Sequence, residues 1–465
     1  MQLGDIFEDF SFDARTASIE VTHVEIDSRN CIPGSVFFAV SGTTANGAKY
    51  AKDAVANGAV CVVSSEELEL DVPVITVPES LLRGLVAHVS ALVTGSPQLR
   101  CELVGVTGTN GKTSVTSIVG DLARALSWNG ANIGTLTNER TTPAAPELMR
   151  SLKTIVDGFD TAKSRSVVAL EISSHAIDQG RITGLQFAVV AFTNLSHDHL
   201  DYHGSMEDYF EVKSRLFTRE YTQRCVIWCD DPYGQRLASE TQLAVSEVRR
   251  SDATEVVQTV TGTTFFWRGQ LVNTPLIGDY NIDNALLAMA IISSLGASDG
   301  AIAGAMEFVR NIPGRFEVIR GSSITAIVDY AHTPEGLRRI LNDVRLLSPA
   351  SRIVTVFGCG GDRDTSKRPE MGRVASKLSD VTIITSDNPR SESPDAIIEA
   401  VMSGCDPDSV VYVQSDRRAA ISQAMELANA GDVVVIAGKG HETTQMIGDV
   451  ELMFDDRVVA RELVK

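Results

Sequence analysis

Short apolar runs recur along the chain, and helical patterns separate most of them. Near the start stand Val36-Phe37-Phe38-Ala39-Val40, Val60-Cys61-Val62-Val63 and Val74-Ile75-Thr76-Val77, with a helical pattern over 51–56. Further on come 103–106, Val167-Val168-Ala169-Leu170 and Val189-Val190-Ala191-Phe192. The last set is Ile324-Thr325-Ala326-Ile327-Val328, Ile353-Val354-Thr355-Val356-Phe357, Val381-Thr382-Ile383-Ile384 and Val433-Val434-Val435-Ile436. Runs of unbroken apolar character suit strands covered on both faces, and their alternation with helices predicts parallel, doubly wound sheets. Gly95-Ser96-Pro97 and Ile312-Pro313-Gly314 punctuate the pattern. The expectation is an α/β protein of three domains, over 1–97, 98–314 and 315–465, the first of them small.

The run at 103–106 feeds Val106-Thr107-Gly108-Thr109-Asn110-Gly111-Lys112-Thr113-Ser114, and an apolar helical pattern with Val115, Ile118, Val119 and Leu122 follows. Strand, glycine-rich loop and helix in that order make a phosphate cradle. Glycines admit an anion to the backbone N–H groups, and the helix N-terminus adds its positive end. Lys112 is placed to reach outer phosphates, and the Thr113 hydroxyl to ligate Mg2+. The glycines are Gly105, Gly108 and Gly111, with Val106 where the usual spacing has glycine. A plain strand-to-helix turn with an exposed lysine is the competing reading.

A length of 465 residues suits about three domains. With 43% hydrophobic and 22% charged residues the whole chain reads as globular. A net charge of −19 argues against nucleic-acid or anionic-membrane partners, so an anionic substrate must meet a local basic pocket. No run is long enough to span a bilayer, and Met1-Gln2-Leu3-Gly4-Asp5 carries an acid where a signal peptide would be basic. A cytoplasmic protein is expected. Seven scattered cysteines argue against a disulfide framework, and Cys225 and Cys229 read as strand residues rather than half a metal site.

Polar clusters follow the apolar runs, where α/β proteins build their sites. Glu171-Ile172-Ser173-Ser174-His175 follows 167–170, and Thr193-Asn194-Leu195-Ser196-His197-Asp198-His199 follows 189–192. Carboxylate and imidazole at neighbouring strand ends suit Mg2+ on nucleotide phosphates, which singles out Glu171 and His199. Later clusters are Asp329-Tyr330-Ala331-His332, Gly360-Gly361-Asp362-Arg363, Asp387-Asn388-Pro389-Arg390 and Gly438-Lys439-Gly440-His441-Glu442. Each alone also fits a turn. Together, Arg363 and Arg390 could clamp carboxylates while Asp387 and Glu442 hold an ammonium, which implies a zwitterion pocket.

With these motifs in place, the chain resembles the Mur ligase family of ATP-dependent amide-forming ligases, over nearly its whole length. The resemblance implies a uridine-nucleotide-binding first domain, a P-loop-type ATP-binding central domain and a Rossmann-like C-terminal domain for the incoming amino acid. It implies addition of meso-2,6-diaminopimelate to the D-glutamate of UDP-N-acetylmuramoyl-L-alanyl-D-glutamate, by a monomer, with L-lysine as the alternative amino acid. By the same resemblance, Ile26 and Ser28 would contact the uridine diphosphate, and Thr141, Thr142, Ser173, Gln179 and Arg181 the muramoyl-peptide part. Gly108, Thr109, Asn110, Gly111, Lys112, Thr113, Ser114, Asn281, Arg315 and Asp329 would serve ATP. Arg363, Asp387, Asn388, Pro389, Arg390, Gly438 and Glu442 would surround the amino acid, with Arg390 pairing its distal carboxylate. Lys213, in Tyr209-Phe210-Glu211-Val212-Lys213, matches a family lysine that takes up CO2 as a carbamate and so becomes an Mg2+ ligand beside Thr113, Glu171 and His199. Lys112, Lys213 and His199 would be the catalytic set.

The chain departs from the family pattern in three places. Ala45-Asn46-Gly47-Ala48-Lys49, after Thr43 and Thr44, stands where Asp-Gly-His is frequent; Arg140 precedes the threonines where Asn is frequent; and His197 stands where Arg is usual. A folylpolyglutamate synthase shares the ATP loop but would lack the first-domain Asp27-Ser28-Arg29 motif and the Asp387-Asn388-Pro389-Arg390 loop. A non-catalytic nucleotide-binding subunit would be expected to have lost Lys112, Glu171, His199 or Lys213.

Overall fold

The computed structural model describes residues 1–42, 46–138, 140–259 and 261–464. Thr43, Thr44 and Ala45, part of the departure in the first-domain loop, lie outside them.

The apolar runs do form the strands. The N-terminal unit is a parallel sheet in the order His23–Glu25, Ser35–Phe38, Ala59–Ser64, Val74–Thr76. Helix Glu79–Val93 packs on it through Leu82, Val86 and Val89.

The central sheet is parallel throughout, in the order Ala244–Val248, Arg224–Trp228, Val189–Phe192, Glu102–Thr107, Ser166–Glu171, Asn129–Ile133. The strand that feeds the phosphate loop therefore lies inside the sheet, with Glu171 and Thr193 at the ends of its two neighbours. Both faces are covered by separate apolar layers, one built with Ile118, Val119 and Leu122 and the other with Leu148, Leu152 and Phe210. Truncation of a fully buried side chain such as Ile118 to alanine should cost about 2–5 kcal/mol. Helix Asp279–Ser294 is apolar nearly all round because it is sandwiched, packing on helix Lys112–Ala125 with Leu286, Ala290 and Ile291 at full burial. A three-stranded antiparallel sheet, Ala253–Thr259, Gly262–Trp267 and Gln270–Thr274, extends this unit. Cys225 and Cys229 are free and buried, the first inside strand Arg224–Trp228 and the second just beyond it. Burial raises both thiols, Cys225 to about 12 and Cys229 to about 11.

The C-terminal sheet runs Glu317–Arg320, Thr325–Asp329, Val433–Ala437, Ile353–Phe357, Val381–Ile384, Val411–Val413, parallel except for its first strand. A hairpin, Thr444–Ile447 with Val450–Met453, stands beside it. Its helix Pro334–Leu347 starts as its sequence predicts: Pro334 opens the first turn and the Thr333 hydroxyl caps Gly336 N–H.

Candidate active site

The phosphate loop owes its shape to two glycines. Gly108 has φ +143°, and a Cβ there would fall 1.9 Å from Thr193 Oγ1 and 2.9 Å from the Asn194 carbonyl oxygen. Gly111 has φ +88° and immediately precedes helix Lys112–Ala125. A Cβ there would fall 2.5 Å from Asn284 Oδ1. The loop is pinned from the neighbouring strand end: Asn110 N–H donates to Asn194 Oδ1 (3.0 Å) and Thr193 Oγ1 donates to the Asn110 carbonyl (2.6 Å).

Lys112 folds back over this loop and donates to the carbonyls of Gly108 and Thr109, both at 2.9 Å. Burial lowers its pKa, against the pull of Glu171 and Asp198. Glu171 is 1% exposed. Its Oε2 accepts from Thr113 Oγ1 (2.9 Å), and its Oε1 accepts from Thr135 N–H and Oγ1 (2.9 and 3.0 Å). Burial raises its pKa, while Lys112 and then Thr113 hold the rise back. Thr135 carried no role in the sequence reading. Its signal is Gly134, whose Cβ would sit 1.9 Å from Glu171 Oε1, so only glycine lets the two strand ends close up.

Lys213 comes from helix Met206–Ser214 and is 1% exposed. Its Nζ donates to the Gly108 carbonyl (3.0 Å) and to Thr107 Oγ1 (3.3 Å) and lies 4.8 Å from the Tyr209 ring centroid. Burial and then the nearby Lys112 push its pKa well down. His199, in a left-handed backbone conformation, joins a ring cluster with His175 (5.2 Å between centroids) and Tyr209 (6.4 Å). Burial lowers it to about 3, so it is a neutral imidazole. Thr113 and Glu171 thus meet directly, while His199 sits in the adjoining aromatic cluster.

A cleft of about 720 Å³, partly open to solvent, runs from Gly111, Thr113 and Ser114 past Trp228, Asn284 and Leu287 to Tyr330 and Arg339 of the C-terminal unit. Arg315 and Asp329 line it. Arg315 Nη2 donates to Thr113 Oγ1 at 3.2 Å, and its guanidinium lies over the Tyr330 ring at 4.2 Å. Asp329 is bound by its own surroundings, accepting from Tyr280 OH (2.7 Å), Phe316 N–H (2.7 Å) and Ala331 N–H (2.8 Å). Asn281 turns inward to the Ile277 carbonyl (2.8 Å), and Asn284 on the same helix lines the cleft instead.

Thr142, Ser173, Gln179 and Arg181 form one connected group. Thr142 Oγ1 accepts from Ser173 N–H (3.0 Å), and Arg181 donates to the Thr142 carbonyl (2.8 Å) and Gln179 Oε1 (2.7 Å). Thr141 is half-buried beside it. Arg83 ties this group to the N-terminal unit through the carbonyls of Gln179 (3.0 Å) and Ser41 (2.7 Å), a role its sequence context does not advertise. Ser28 is buried, its carbonyl accepting from Asn57 (2.9 Å), and Ile26 is half-buried two residues before it.

In the C-terminal unit, Asp387, Asn388 and Gly438 converge, since a Cβ on Gly438 would lie 2.6 Å from Asp387 Oδ2. Glu442 already holds an ammonium, that of Lys439 at 2.8 Å. Arg390, half-buried at φ +51°, donates to the Gly361 carbonyl (2.7 Å), and a Cβ on Gly361 would fall 1.9 Å from the Pro389 carbonyl oxygen. Burial, then the nearby Arg363, lowers its pKa. Arg363 Nη1 donates to the Asp362 carbonyl (3.0 Å). The two arginines therefore place positive charge near one another, with the carboxylates of Asp387, Glu442 and Asp362 close to Arg390.

Three family models cover this frame: the Mur ligase family catalytic domain over residues 20–92, the Mur ligase middle domain over 106–292, and the Mur ligase glutamate ligase domain over 314–440. A relative from Geobacillus kaustophilus (strain HTA426) is 42% identical, covering 96% of this chain and 95% of its own. The chain belongs to the Mur ligase family. That relative is named UDP-N-acetylmuramoyl-L-alanyl-D-glutamate--2,6-diaminopimelate ligase, as is one from Gloeobacter violaceus, 39% identical over 99% of this chain and 98% of its own. A solved structure of a ligase of the same name matches with a TM-score of 0.67 and 30% identity, covering 100% of this chain and 98% of that one. A Mycobacterium tuberculosis folylpolyglutamate synthase shares the fold over 77% of this chain, at TM-score 0.60 and 21% identity. Among the described residues no helix is long and apolar enough to cross a membrane.

Proposed function

We propose that this Mur ligase joins meso-2,6-diaminopimelate to the D-glutamate carboxylate of UDP-N-acetylmuramoyl-L-alanyl-D-glutamate at the expense of ATP, as a cytoplasmic monomer. The observation that carries the reading is the pairing of a phosphate loop closed on Glu171 with a separate cluster in which Arg363 and Arg390 lie near the carboxylates of Asp387 and Glu442. The full-length likeness to ligases of that name supports it.

In this reading ATP lies in the cleft between helix Asp279–Ser294 and Tyr330, with its phosphates on residues 108–114. The substrate carboxylate attacks the γ-phosphorus, ADP leaves, and an acyl phosphate forms. The amino group of diaminopimelate then attacks the acyl carbon, inorganic phosphate leaves, and an amide remains. Lys112 and Arg315 supply positive charge where the phosphoryl oxygens gain negative charge. Lys112 must first release the carbonyls of Gly108 and Thr109. Ile26 and Ser28 would hold the uridine diphosphate, and Thr141, Thr142, Ser173, Gln179 and Arg181 the muramoyl-peptide part. Arg315 and Asp329 would serve the nucleotide. Asn281 would orient helix Asp279–Ser294 rather than touch the base.

The oxygen atoms of Thr113, Thr135 and Glu171 are the hard donors that Mg2+ takes. Among the described residues no three His, Cys, Asp or Glu side chains gather into a metal cage. That fits an ion completed by phosphate oxygens and water. Bound there, Mg2+ would screen the phosphate charge. Lys213 suits carbamate formation because CO2 adds to a neutral amine, and burial favours that form. A carbamate would turn a cation into an oxygen donor, with His199 and its neighbours as the surrounding wall.

Arg390 would pair the distal carboxylate that L-lysine lacks. Left unpaired and partly desolvated it costs about 1–3 kcal/mol, which sets the preference for diaminopimelate over lysine. The test is phosphate release from ATP and Mg2+ with the dipeptide nucleotide and diaminopimelate. Release that needs both substrates supports the reading. Release that needs a folate instead would replace it.

A further inference from the structure

Lys439 is the most fully enclosed ammonium of the C-terminal unit, with a side-chain exposure of 0%. Glycines flank it on both sides. Gly438 has φ +116° and Gly440 φ +53°, and a Cβ on Gly440 would fall 2.6 Å from Tyr330 Cβ and 2.7 Å from the Gly314 carbonyl oxygen. No other residue type fits those two positions, so the pair turns the lysine inward rather than to solvent.

Its ammonium makes three bonds, to Glu442 Oε2 (2.8 Å), Asn388 Oδ1 (3.2 Å) and the Thr444 carbonyl (2.6 Å). Asn388 then donates from Nδ2 to the same Glu442 Oε2 at 2.8 Å, and its Oδ1 also accepts from Met446 N–H at 3.0 Å. The triangle is closed on its inner side. Asn388 keeps one N–H, and Glu442 keeps Oε1, on a side chain that is 31% exposed. The hairpin that holds Met446 also binds the Arg390 backbone, whose N–H donates to the Met446 carbonyl (3.2 Å) and whose carbonyl accepts from Gly448 N–H (2.8 Å).

We propose that Lys439 is a positioning residue for the amino-acid pocket: its enclosed ammonium locks Asn388 and Glu442 together, so that an incoming amino acid meets one Glu442 oxygen for its ammonium and one Asn388 N–H for a carboxylate oxygen. The proposal rests on the reading that this pocket takes diaminopimelate. A lysine that served only to hold the fold would leave substrate affinities in step with one another. A positioning lysine separates them, because the first half-reaction needs no amino acid.

The test is Lys439→Met in the full-length chain, with KM measured for diaminopimelate, ATP and the dipeptide nucleotide. ADP formation in a single turnover without amino acid is measured alongside. KM for diaminopimelate should rise about tenfold or more, while the other two KM values and the ADP burst stay within about twofold. Lys439→Gln, which keeps a neutral donor at the same place, should fall between the two, and it carries the test if the methionine variant does not fold. A folded variant with an unchanged KM for diaminopimelate overturns the proposal. So does an equal loss in all three substrates and in the burst. If the wild-type chain does not turn over diaminopimelate, the assigned function fails and the proposal falls with it. Wild-type turnover with an indifferent variant removes the proposal alone.

Discussion

Lys213 donates to the carbonyl oxygen of Gly108 at 3.0 Å, so an amine from a neighbouring helix is embedded directly beneath the phosphate loop. An ammonium buried so close to Lys112 is unfavourable, which is why its pKa falls well below the ordinary lysine value. Lys213→Ala should lower kcat by about 10²–10³-fold, and enzyme freed of CO2 should regain activity on adding bicarbonate. Steady-state rates in degassed and bicarbonate-supplemented buffer check this. A Lys213→Ala enzyme of normal kcat would contradict it.

Gly108→Ala should weaken nucleotide binding. The new methyl would fall 1.9 Å from Thr193 Oγ1 at a backbone angle that side chains seldom adopt. ATP affinity by calorimetry should weaken about tenfold or more, while the far-UV spectrum stays that of the parent.

Asp343 shapes the stability of the chain with pH. Burial, then the charge of Asp279, raises its carboxyl to about 7 from 3.8, with its Oδ2 accepting from Asp279 N–H at 2.9 Å. The folded state therefore holds a proton that the unfolded state gives up above about pH 4. The stabilisation is complete at low pH and disappears as pH rises through about 7. Asp343→Asn avoids that loss. At pH 8.5 it should be more stable than the parent by about 1–3 kcal/mol, since one pKa unit is about 1.4 kcal/mol. That is several degrees at about 2–4 °C per kcal/mol. At pH 5.5 the gap should shrink to about half, and it should close only near pH 4, where the unfolded carboxyl also takes up its proton. Thermal melts at the two pH values decide it, and a gap that widens on acidification would reverse the sign.

The strands were legible because their apolar runs are unbroken, as at Val433-Val434-Val435-Ile436, where every residue is buried on both sheet faces. The phosphate loop was legible because strand, glycines and lysine are contiguous. What sequence order conceals is contact across the sheet. Thr135 reaches Glu171 only because strands Asn129–Ile133 and Ser166–Glu171 are neighbours. The antiparallel sheet over 253–274 escaped because its strands mix buried with exposed positions, without a long apolar run to mark them. Asn281 and Asn284 differ by less than one helical turn, and sequence alone does not say which one faces the cleft. Lys439 was visible in a polar string yet looked like any lysine. Its role appears only once Gly438 and Gly440 turn it toward Asn388.

Arg390 should select an amino acid with a second carboxylate. The most direct measurement offers equal diaminopimelate and L-lysine to the enzyme with ATP, Mg2+ and the dipeptide nucleotide, and weighs the products by mass spectrometry. The diaminopimelate adduct should exceed the lysine adduct by about tenfold or more, and Arg390→Ala should erase most of that preference. A lysine adduct in excess from the wild-type chain would contradict the assignment.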